Sequence, residues 1–197
     1  MRIVRKGINA TLKIFGNIKQ KQKIWNEEFK KGKWDNLINT ESDPIYEYLN
    51  IYANDGMILD LGCGSGNTGC EIKIDRYREY VGVDISNEAI NIAKNRIMND
   101  HQRNGRIKYH VSDIITYIPD NNYDVILFRE SIYYIKKTKI KNTIDRYRMY
   151  LNKNGVIIIR LCNRQKYKNI INMIIENYNI IDKDIKDDNT TAVMVFN

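Results

Sequence analysis

A short apolar run that ends in a cluster of glycines constrains the fold of this chain more than any other feature. Residues 57–61 have the pattern of a buried strand, and the motif Asp60-Leu-Gly-Cys-Gly-Ser-Gly66 ends it. Glycines in a strand-to-helix turn permit positive φ and let a ligand approach the backbone closely. Because open α/β sheets bind ligands at the carboxyl ends of their strands, this turn predicts a ligand site.

From residue 57 onward, strand patterns alternate with helix patterns. Five strands are predicted at residues 57–61, 80–84, 107–111, 124–128 and 155–161, and helices at 86–99, 138–151 and 165–177. This order is typical of a parallel sheet with helices on both faces. Two further strands at 178–185 and 190–196 flank the turn signal Asp187-Asp188-Asn189 and predict a C-terminal hairpin, which adds one antiparallel strand.

The length of 197 residues indicates a single domain over 1–197. Within it, residues 1–55 are predicted to form a helical cap and residues 56–197 an α/β core. Residues 1–24 carry seven basic side chains and no acidic one, and an apolar residue recurs there at helical spacing. We expect one amphipathic helix that packs over the domain; a membrane-surface helix or a partner-binding arm are the alternatives. Two more helices are predicted near 25–38 and 44–52.

The composition limits the environment and the partners. The net charge of +8 suits an anionic small substrate or a nucleic acid, although an AT-rich coding sequence also gives such a composition. No apolar run is long enough for a membrane helix, and no signal peptide is visible. Three cysteines without metal spacing and only two histidines indicate reduced thiols, a cytoplasmic protein and no metal site. The oligomeric state does not follow from the sequence.

The glycine motif fits two kinds of ligand. The segment Gly64-Ser65-Gly66-Asn67-Thr68-Gly69 also fits the dinucleotide pattern GxGxxG, with Asp84 about 20 residues after it. A dinucleotide brings a pyrophosphate to the turn, whereas S-adenosylmethionine (SAM) brings an ammonium and a sulfonium. A carboxylate at Asp60 suits the cationic ligand better, so the charge favours SAM over NAD.

Five motifs in this chain occur in the order and near the spacing of a known family. They are Asp60-Leu-Gly-Cys-Gly-Ser-Gly66, Val81-Gly-Val-Asp-Ile-Ser86, Ser112-Asp113, Tyr123-Asp-Val-Ile-Leu-Phe128 and Asn154-Gly-Val-Ile-Ile-Ile159. Residues 57–161 thereby resemble the class I SAM-dependent methyltransferases. The resemblance implies an α/β fold, as a single Rossmann-like methyltransferase domain with a mostly parallel seven-stranded sheet.

The same resemblance implies S-adenosyl-L-methionine as the cofactor and assigns residues to it. Asp84 would accept hydrogen bonds from both ribose hydroxyls, since a carboxylate offers two oxygens to a diol. Asp113 would accept one from the adenine amino group. The implied cofactor-binding residues are Asp60, Gly62, Cys63, Gly64, Gly66, Asp84, Ile85, Ser112, Asp113, Ile114 and Arg129.

The segment after the fourth predicted strand carries the acceptor chemistry in this family. Here Glu130, Tyr133 and Tyr134 are the candidate catalytic residues. Glu130 is predicted to orient or deprotonate an acceptor, or else to be a solvated carboxylate paired with Arg129. The Glu-x-x-Tyr-Tyr pattern is similar to small-molecule enzymes, including nodulation-type N-methyltransferases of amino sugars. Arg160, at the end of the fifth strand, is interpreted as an ordinary strand-end residue, with contact to an anionic group as the alternative.

The sequence therefore predicts transfer of a methyl group from SAM to an oxygen or nitrogen atom of a small molecule, such as a sugar, a nucleotide-sugar or an amine. The proline-containing motifs that methylate base amines or cytosine carbon are absent from the acceptor segment. Their absence lowers the weight of nucleic acid as a partner without removing it. An RNA or protein methyltransferase is the alternative, and an NAD-binding Rossmann protein is the third.

Overall fold

The computed structural model describes residues 2–35, 40, 42–185 and 191–197, with the backbone alone at residues 2–6. The helices are α1 (Arg2–Phe15), α2 (Ile18–Lys30), α3 (Ile45–Tyr52), α4 (Asn67–Glu71), α5 (Asn87–Ile97), α6 (Lys137–Arg148) and α7 (Lys168–Asn177). The strands are β1 (Gly56–Leu61), β2 (Tyr77–Asp84), β3 (Ile107–Val111), β4 (Tyr123–Arg129), β5 (Leu151–Leu161), β6 (Ile180–Ile185) and β7 (Ala192–Phe196). Short 3-10 turns lie at Ile74–Arg76 and Ile132–Tyr134.

The strands form one seven-stranded sheet in the order β3-β2-β1-β4-β5-β7-β6. β1 to β5 pair in parallel, and β7 pairs antiparallel with both β5 and β6. The prediction of a mostly parallel sheet with one antiparallel strand in a C-terminal hairpin is therefore confirmed. The predicted turn at Asp187-Asp188-Asn189 lies outside the described residues.

Both faces of the sheet are covered by helices, which explains the unbroken apolar runs of the central strands. Leu59 and Ile126 belong to an apolar cluster on one face, to which α6 and α7 contribute. Their neighbours Ile58 and Val125 belong to the cluster on the other face, with α3 and α5. Because successive strand residues point to opposite faces, a strand buried on both sides needs apolar residues at every position.

Helix α5 begins where the sequence predicts. Ser86 is its N-cap, and the Ser86 hydroxyl accepts a hydrogen bond from the Ala89 backbone N–H at 3.1 Å. The carboxylate of Asp84 also accepts the Ser86 N–H at 2.8 Å. The end of β2 and the start of α5 are thus held as one rigid turn at the edge of the sheet where a ligand would lie.

The amphipathic helix predicted within residues 1–24 is confirmed as α1, but the extent of the segment is wrong, since α1 ends at Phe15. The chain breaks at Gly16 and starts α2 at Ile18, because Asn17 and Gln20 form a reciprocal capping box at the new helix start. The predicted helix over 25–38 is likewise wrong in its bounds: α2 ends at Lys30 and a turn follows, while residues 36–38 lie outside the described part of the chain.

The expected apolar packing of the N-terminal segment is incomplete. α1 packs against α2, yet Ile8 is 53% exposed and Phe15 is 61% exposed. The buried side chain in the last turn of α1 is instead a lysine, Lys13. None of the described helices is both long and apolar enough to cross a membrane.

Candidate functional site

A cavity of about 310 Å³ lies at the carboxyl ends of β1, β2 and β4, with α2 as its roof. β1 and β4 are neighbours in the sheet, and the chain order reverses between them. Such a switch point leaves a crevice between loops that run to opposite faces of the sheet. The position of the cavity therefore follows from the topology, and the residues at the three strand ends decide what it binds.

The glycine turn forms the floor of the cavity. Gly62 and Gly64 have φ values of 88° and 54°, and the Gly62 N–H donates to the carbonyl of Val83 at 2.7 Å. A Cβ atom on Gly62 would lie 2.4 Å from Cβ of Ser131, so this position accepts no larger residue without movement. The turn thus exposes backbone that side chains would otherwise cover, which is what a close-lying ligand needs.

Asp60 supplies a buried carboxylate to the wall of this cavity. The Tyr80 hydroxyl donates to its Oδ2 at 2.5 Å, while its Oδ1 is buried and finds no hydrogen-bond partner among the described residues. Burial raises the pKa of Asp60 to about 6, against the opposing effects of Tyr80 and Arg129. A buried acceptor without a donor is costly, so this atom fits the ammonium that SAM would bring.

Asp84 lies at the end of β2 with both carboxylate oxygens directed at the turn. Its Oδ2 accepts the Gly64 N–H at 3.0 Å, and its Oδ1 accepts the Ser86 N–H at 2.8 Å. Burial raises the pKa of Asp84 to about 6. Each oxygen keeps a further lone pair, so the carboxylate fits a ribose diol while it holds the glycine turn in place.

Asp113 occupies the adjacent end of the cavity. Its Oδ1 accepts the Ile115 N–H at 2.7 Å, and its Oδ2 lies 3.7 Å from Nζ of Lys21 on α2. The Oδ2 atom remains within reach of an exocyclic amine such as that of adenine. Ile85 and Ile114 line the same end and would flank a flat ring.

The predicted cofactor residues divide into two groups. Those that line the cavity are Asp60, Gly62, Cys63, Gly64, Asp84, Ile85, Asp113, Ile114 and Arg129. Gly66 does not line it but caps α4 with φ 77°, and Ser112 donates its N–H to the carbonyl of Asp84 at 2.9 Å. These two residues support the site from behind.

A network of ion pairs lines another part of the cavity wall. Arg129 and Arg160 both lie 3.0 Å from Oδ2 of Asp43, and Arg160 contacts Glu130 at 2.5 Å. The alternative pairing of Glu130 with Arg129 is therefore wrong, since Glu130 pairs with Arg160. The interpretation of Arg160 as an ordinary strand-end residue is also wrong, because its side chain lines the cavity. Asp43 was not found from the sequence, as only the folded chain brings it to β4 and β5.

The candidate catalytic residues meet in the cavity. Glu130 has φ 57°, an uncommon value for a residue other than glycine, and the Tyr133 hydroxyl donates to it at 2.7 Å. The Tyr133 ring stacks on Tyr167 with centroids 4.3 Å apart. The Tyr134 ring meets Trp25 edge-on at 4.8 Å. The turn after β4 therefore presents one carboxylate and two fixed rings to the cavity.

The roof contributes aromatic rings that the sequence did not assign to the site. Trp25 and Phe29 on α2 and Trp34 after it line the cavity, and so does Lys13 from α1. The spacing of Trp25 and Phe29, four residues apart on one helical face, is a signal that could have shown an aromatic surface. No local pattern marks Lys13, whose neighbours come from other elements.

Comparison with known proteins agrees with the family that the motifs suggest. A family model described as a methyltransferase domain matches residues 53–195, well over half of the chain. The chain belongs to this family. The prediction of a class I SAM-dependent methyltransferase is thereby confirmed.

A solved structure supports the predicted fold. The N-methyltransferase NodS from Bradyrhizobium japonicum, in complex with S-adenosyl-L-homocysteine (SAH), superposes with a TM-score of 0.68 at 15% identity over 87% of this chain and 97% of that one.

Curated relatives of this methyltransferase act on different acceptors. A phosphoethanolamine N-methyltransferase from Plasmodium falciparum is 28% identical over 104 residues, which is 52% of this chain and 37% of the relative. A tRNA (guanine-N(7)-)-methyltransferase from Ruminiclostridium cellulolyticum is 30% identical over 111 residues, or 52% of this chain and 40% of the relative. The chain thus spans well under two thirds of both relatives, and they do not agree on an acceptor.

The raised pKa values in this methyltransferase predict a pH-dependent affinity for SAM. Asp60 and Asp84 have pKa values of about 6, so both are ionised at pH 7 and mostly protonated at pH 5. A cationic ligand and a ribose diol need the carboxylate forms, so affinity falls as the pH decreases. We expect SAM to bind at least about ten-fold more weakly at pH 5 than at pH 7. Protonation of a single required carboxylate with a pKa of about 6 already lowers the binding-competent fraction of the protein by about that factor.

Calorimetry at the two pH values in buffers of different ionisation enthalpy measures this effect and the protons released on binding. Asp60→Asn removes one of the two titrating groups and should flatten the dependence. An affinity that is constant from pH 5 to pH 7 in the folded wild-type chain would contradict the roles of both carboxylates.

Proposed function

We propose that this methyltransferase transfers the methyl group of SAM to an oxygen or nitrogen atom of a small molecule. The observation that carries the proposal is the roof that α2 forms over the cavity. Gln22 on α2 donates to the carbonyl of Ile85 at 3.0 Å, and Asn26 accepts the Ser86 hydroxyl at 2.7 Å. These bonds hold α2 across the cavity, so the acceptor enters a concave, largely aromatic pocket of the kind that binds small molecules.

The chain's own groups have separate tasks in this reaction. Bound SAM supplies an electrophilic methyl group and a neutral leaving group. Asp60 and Asp84 hold the donor by its ammonium and its ribose, while the roof excludes water. Glu130 faces the acceptor and takes up or shares the proton that the attacking oxygen or nitrogen loses. The Tyr133 hydroxyl holds Glu130 in position, and the rings of Tyr133 and Tyr134 shape the pocket, so that the acceptor is aligned for attack.

Methyl-labelled SAM tests the acceptor class directly. The protein is incubated with a metabolite extract, with total RNA and with a protein extract, and the label is counted in each fraction after separation by size. The proposal predicts label in the low-molecular-weight fraction only. Label confined to RNA or to protein would replace the proposal with the corresponding alternative.

An RNA acceptor is the second candidate, and one surface favours it. An open groove beside the cavity is lined by four lysines: Lys19, Lys21, Lys136 and Lys139. Lysine side chains suit phosphate oxygens, and binding of this kind weakens steeply with salt. Under this alternative, Lys136→Glu with Lys139→Glu removes both RNA binding and RNA methylation. Under the proposed function, the same double variant leaves methyl transfer to the small molecule unchanged.

A further inference from the structure

A lysine ammonium is buried in the aromatic roof of the cavity. Nζ of Lys13 lies 2.6 Å from the carboxylate of Glu28 and 3.7 Å from the ring centroid of Trp25. The rings of Trp34 and Tyr134 lie 5.4 and 5.7 Å away. Cations within about 6 Å of aromatic centroids are attracted to the ring faces. We call Trp25, Trp34, Tyr134 and Glu28 the ammonium cage.

The ammonium cage is assembled by contacts that do not involve Lys13. Trp25 packs edge-on against Tyr134 with centroids 4.8 Å apart, and its centroid lies 5.7 Å from that of Trp34. Glu28 also accepts hydrogen bonds from Lys33 at 2.8 Å and from the Trp34 ring N–H at 3.2 Å. The rings and the carboxylate therefore keep their positions if the lysine leaves, and the cage remains suited to a cation.

Lys13 belongs to an element that is held less firmly than the cage. More than half of the surface of Ile8 and of Phe15 on the same helix stays exposed, so these two apolar side chains contribute little to the packing of α1. Burial lowers the pKa of Lys13, assisted by the nearby charge of Lys33, although Glu28 opposes the shift. Burial of the Lys13 ammonium in the cage therefore has a desolvation cost, which the contacts with Glu28 and the rings offset in part.

The ammonium cage opens into the same cavity as the donor site. Lys13, Trp25 and Trp34 line that cavity together with Asp84 and Glu130. Tyr134 is shared, since its ring belongs to the cage and also lies 4.8 Å from the ring of Tyr133 next to Glu130. A molecule held in the cage by one end can therefore present its other end to the reacting groups.

We propose that the ammonium cage binds an alkylammonium group of the acceptor, and that Lys13 is its tethered occupant in the acceptor-free chain. The group stays charged in the cage, so it positions the acceptor, and the methylated atom is a second oxygen or nitrogen near Glu130. This inference names the substrate class of the proposed function and rests on that function for its role in catalysis. The binding site itself does not depend on turnover.

Choline is a suitable probe, with the neutral analogue in which carbon replaces its nitrogen as the reference ligand. Lys13→Met empties the cage of its cation, and ligand-observed NMR titration measures the affinity. We expect choline to bind Lys13→Met about ten-fold or more tightly than the wild-type chain. In wild type, the Lys13 ammonium occupies the cage in most molecules and competes with choline, whereas the variant has no such competitor. Lys23→Met removes an exposed charge from α2 and is the matched control, with wild-type affinity expected.

Equal choline affinity of Lys13→Met and wild type, or equal affinity for choline and its neutral analogue, would overturn the inference. SAH binding reports whether each variant is folded. If Lys13→Met does not fold, Trp34→Leu decides instead: weaker choline binding supports the cage, and unchanged binding refutes it. Choline binding without any labelled small-molecule product refutes the proposed function alone, whereas a labelled product without choline binding refutes the cage alone.

Discussion

Replacement of Asp84 by alanine is expected to weaken SAM binding by about 2–4 kcal/mol, or roughly 30- to 900-fold. The carboxylate lies at the end of β2, where a ribose diol would meet both of its oxygens. It also accepts the N–H groups of Gly64 and Ser86 at 3.0 and 2.8 Å. The substitution therefore removes bonds to the ligand and loosens the turn that receives it, and calorimetry with SAM measures the sum.

Asp124→Ala is the matched control for this variant. The Asp124 carboxylate also accepts a backbone N–H, that of Met57 at 2.7 Å, but it lies at the opposite end of the sheet from the cavity. We expect Asp124→Ala to lower the melting temperature and to leave the affinity for SAM unchanged. A folded Asp84→Ala chain that binds SAM as tightly as wild type would show that Asp84 only supports the structure.

Replacement of Glu130 by glutamine is expected to lower kcat by about 10²–10⁴-fold if the carboxylate accepts the proton of the acceptor. Glutamine keeps the shape and removes the charge, and Arg160 keeps Asp43 as a partner. Because Glu130 is not among the groups expected to bind the donor, the affinity for SAH should stay within about two-fold of wild type, a difference well below one hydrogen bond. Steady-state kinetics on the acceptor and calorimetry with SAH separate the two effects.

Two further variants serve as comparisons for the loss of kcat that is expected in Glu130→Gln. Tyr133→Phe removes the hydroxyl that donates to Glu130 at 2.7 Å but keeps the ring that stacks on Tyr167, so a smaller loss in kcat is expected. Glu176→Gln, on the exposed side of α7, should have no effect. Full turnover by Glu130→Gln on the true acceptor would remove Glu130 from the catalytic groups.

The parts of the fold that local sequence determines were predicted well. Strands buried on both faces show as unbroken apolar runs, and Ser86 marks the start of α5 because a serine hydroxyl satisfies a free N–H there. The glycine turn was recognisable since only glycine tolerates φ values such as 88° at Gly62 next to Ser131. These signals are short in range, so they survive in a single sequence.

The roof and the ion-pair network could not be predicted in the same way. Arg160 meets Asp43 across 117 positions of the chain, and no local pattern encodes such a pairing. Lys13 was counted only as one of the seven basic residues of segment 1–24, but tertiary contacts with Trp25 and Glu28 bury it. The break between α1 and α2 is a different case, because Asn17 and Gln20 carry a local capping signal that the apolar periodicity obscured.

The measurement that tests the central claim most directly is a calorimetric titration of the protein with SAM, SAH and NAD under one set of conditions. The glycine turn, the unpartnered oxygen of Asp60 and the carboxylate of Asp84 predict one-to-one binding of SAM and of SAH and no binding of NAD. Binding of NAD without binding of SAM or SAH would contradict the account, since the same turn would then serve a pyrophosphate.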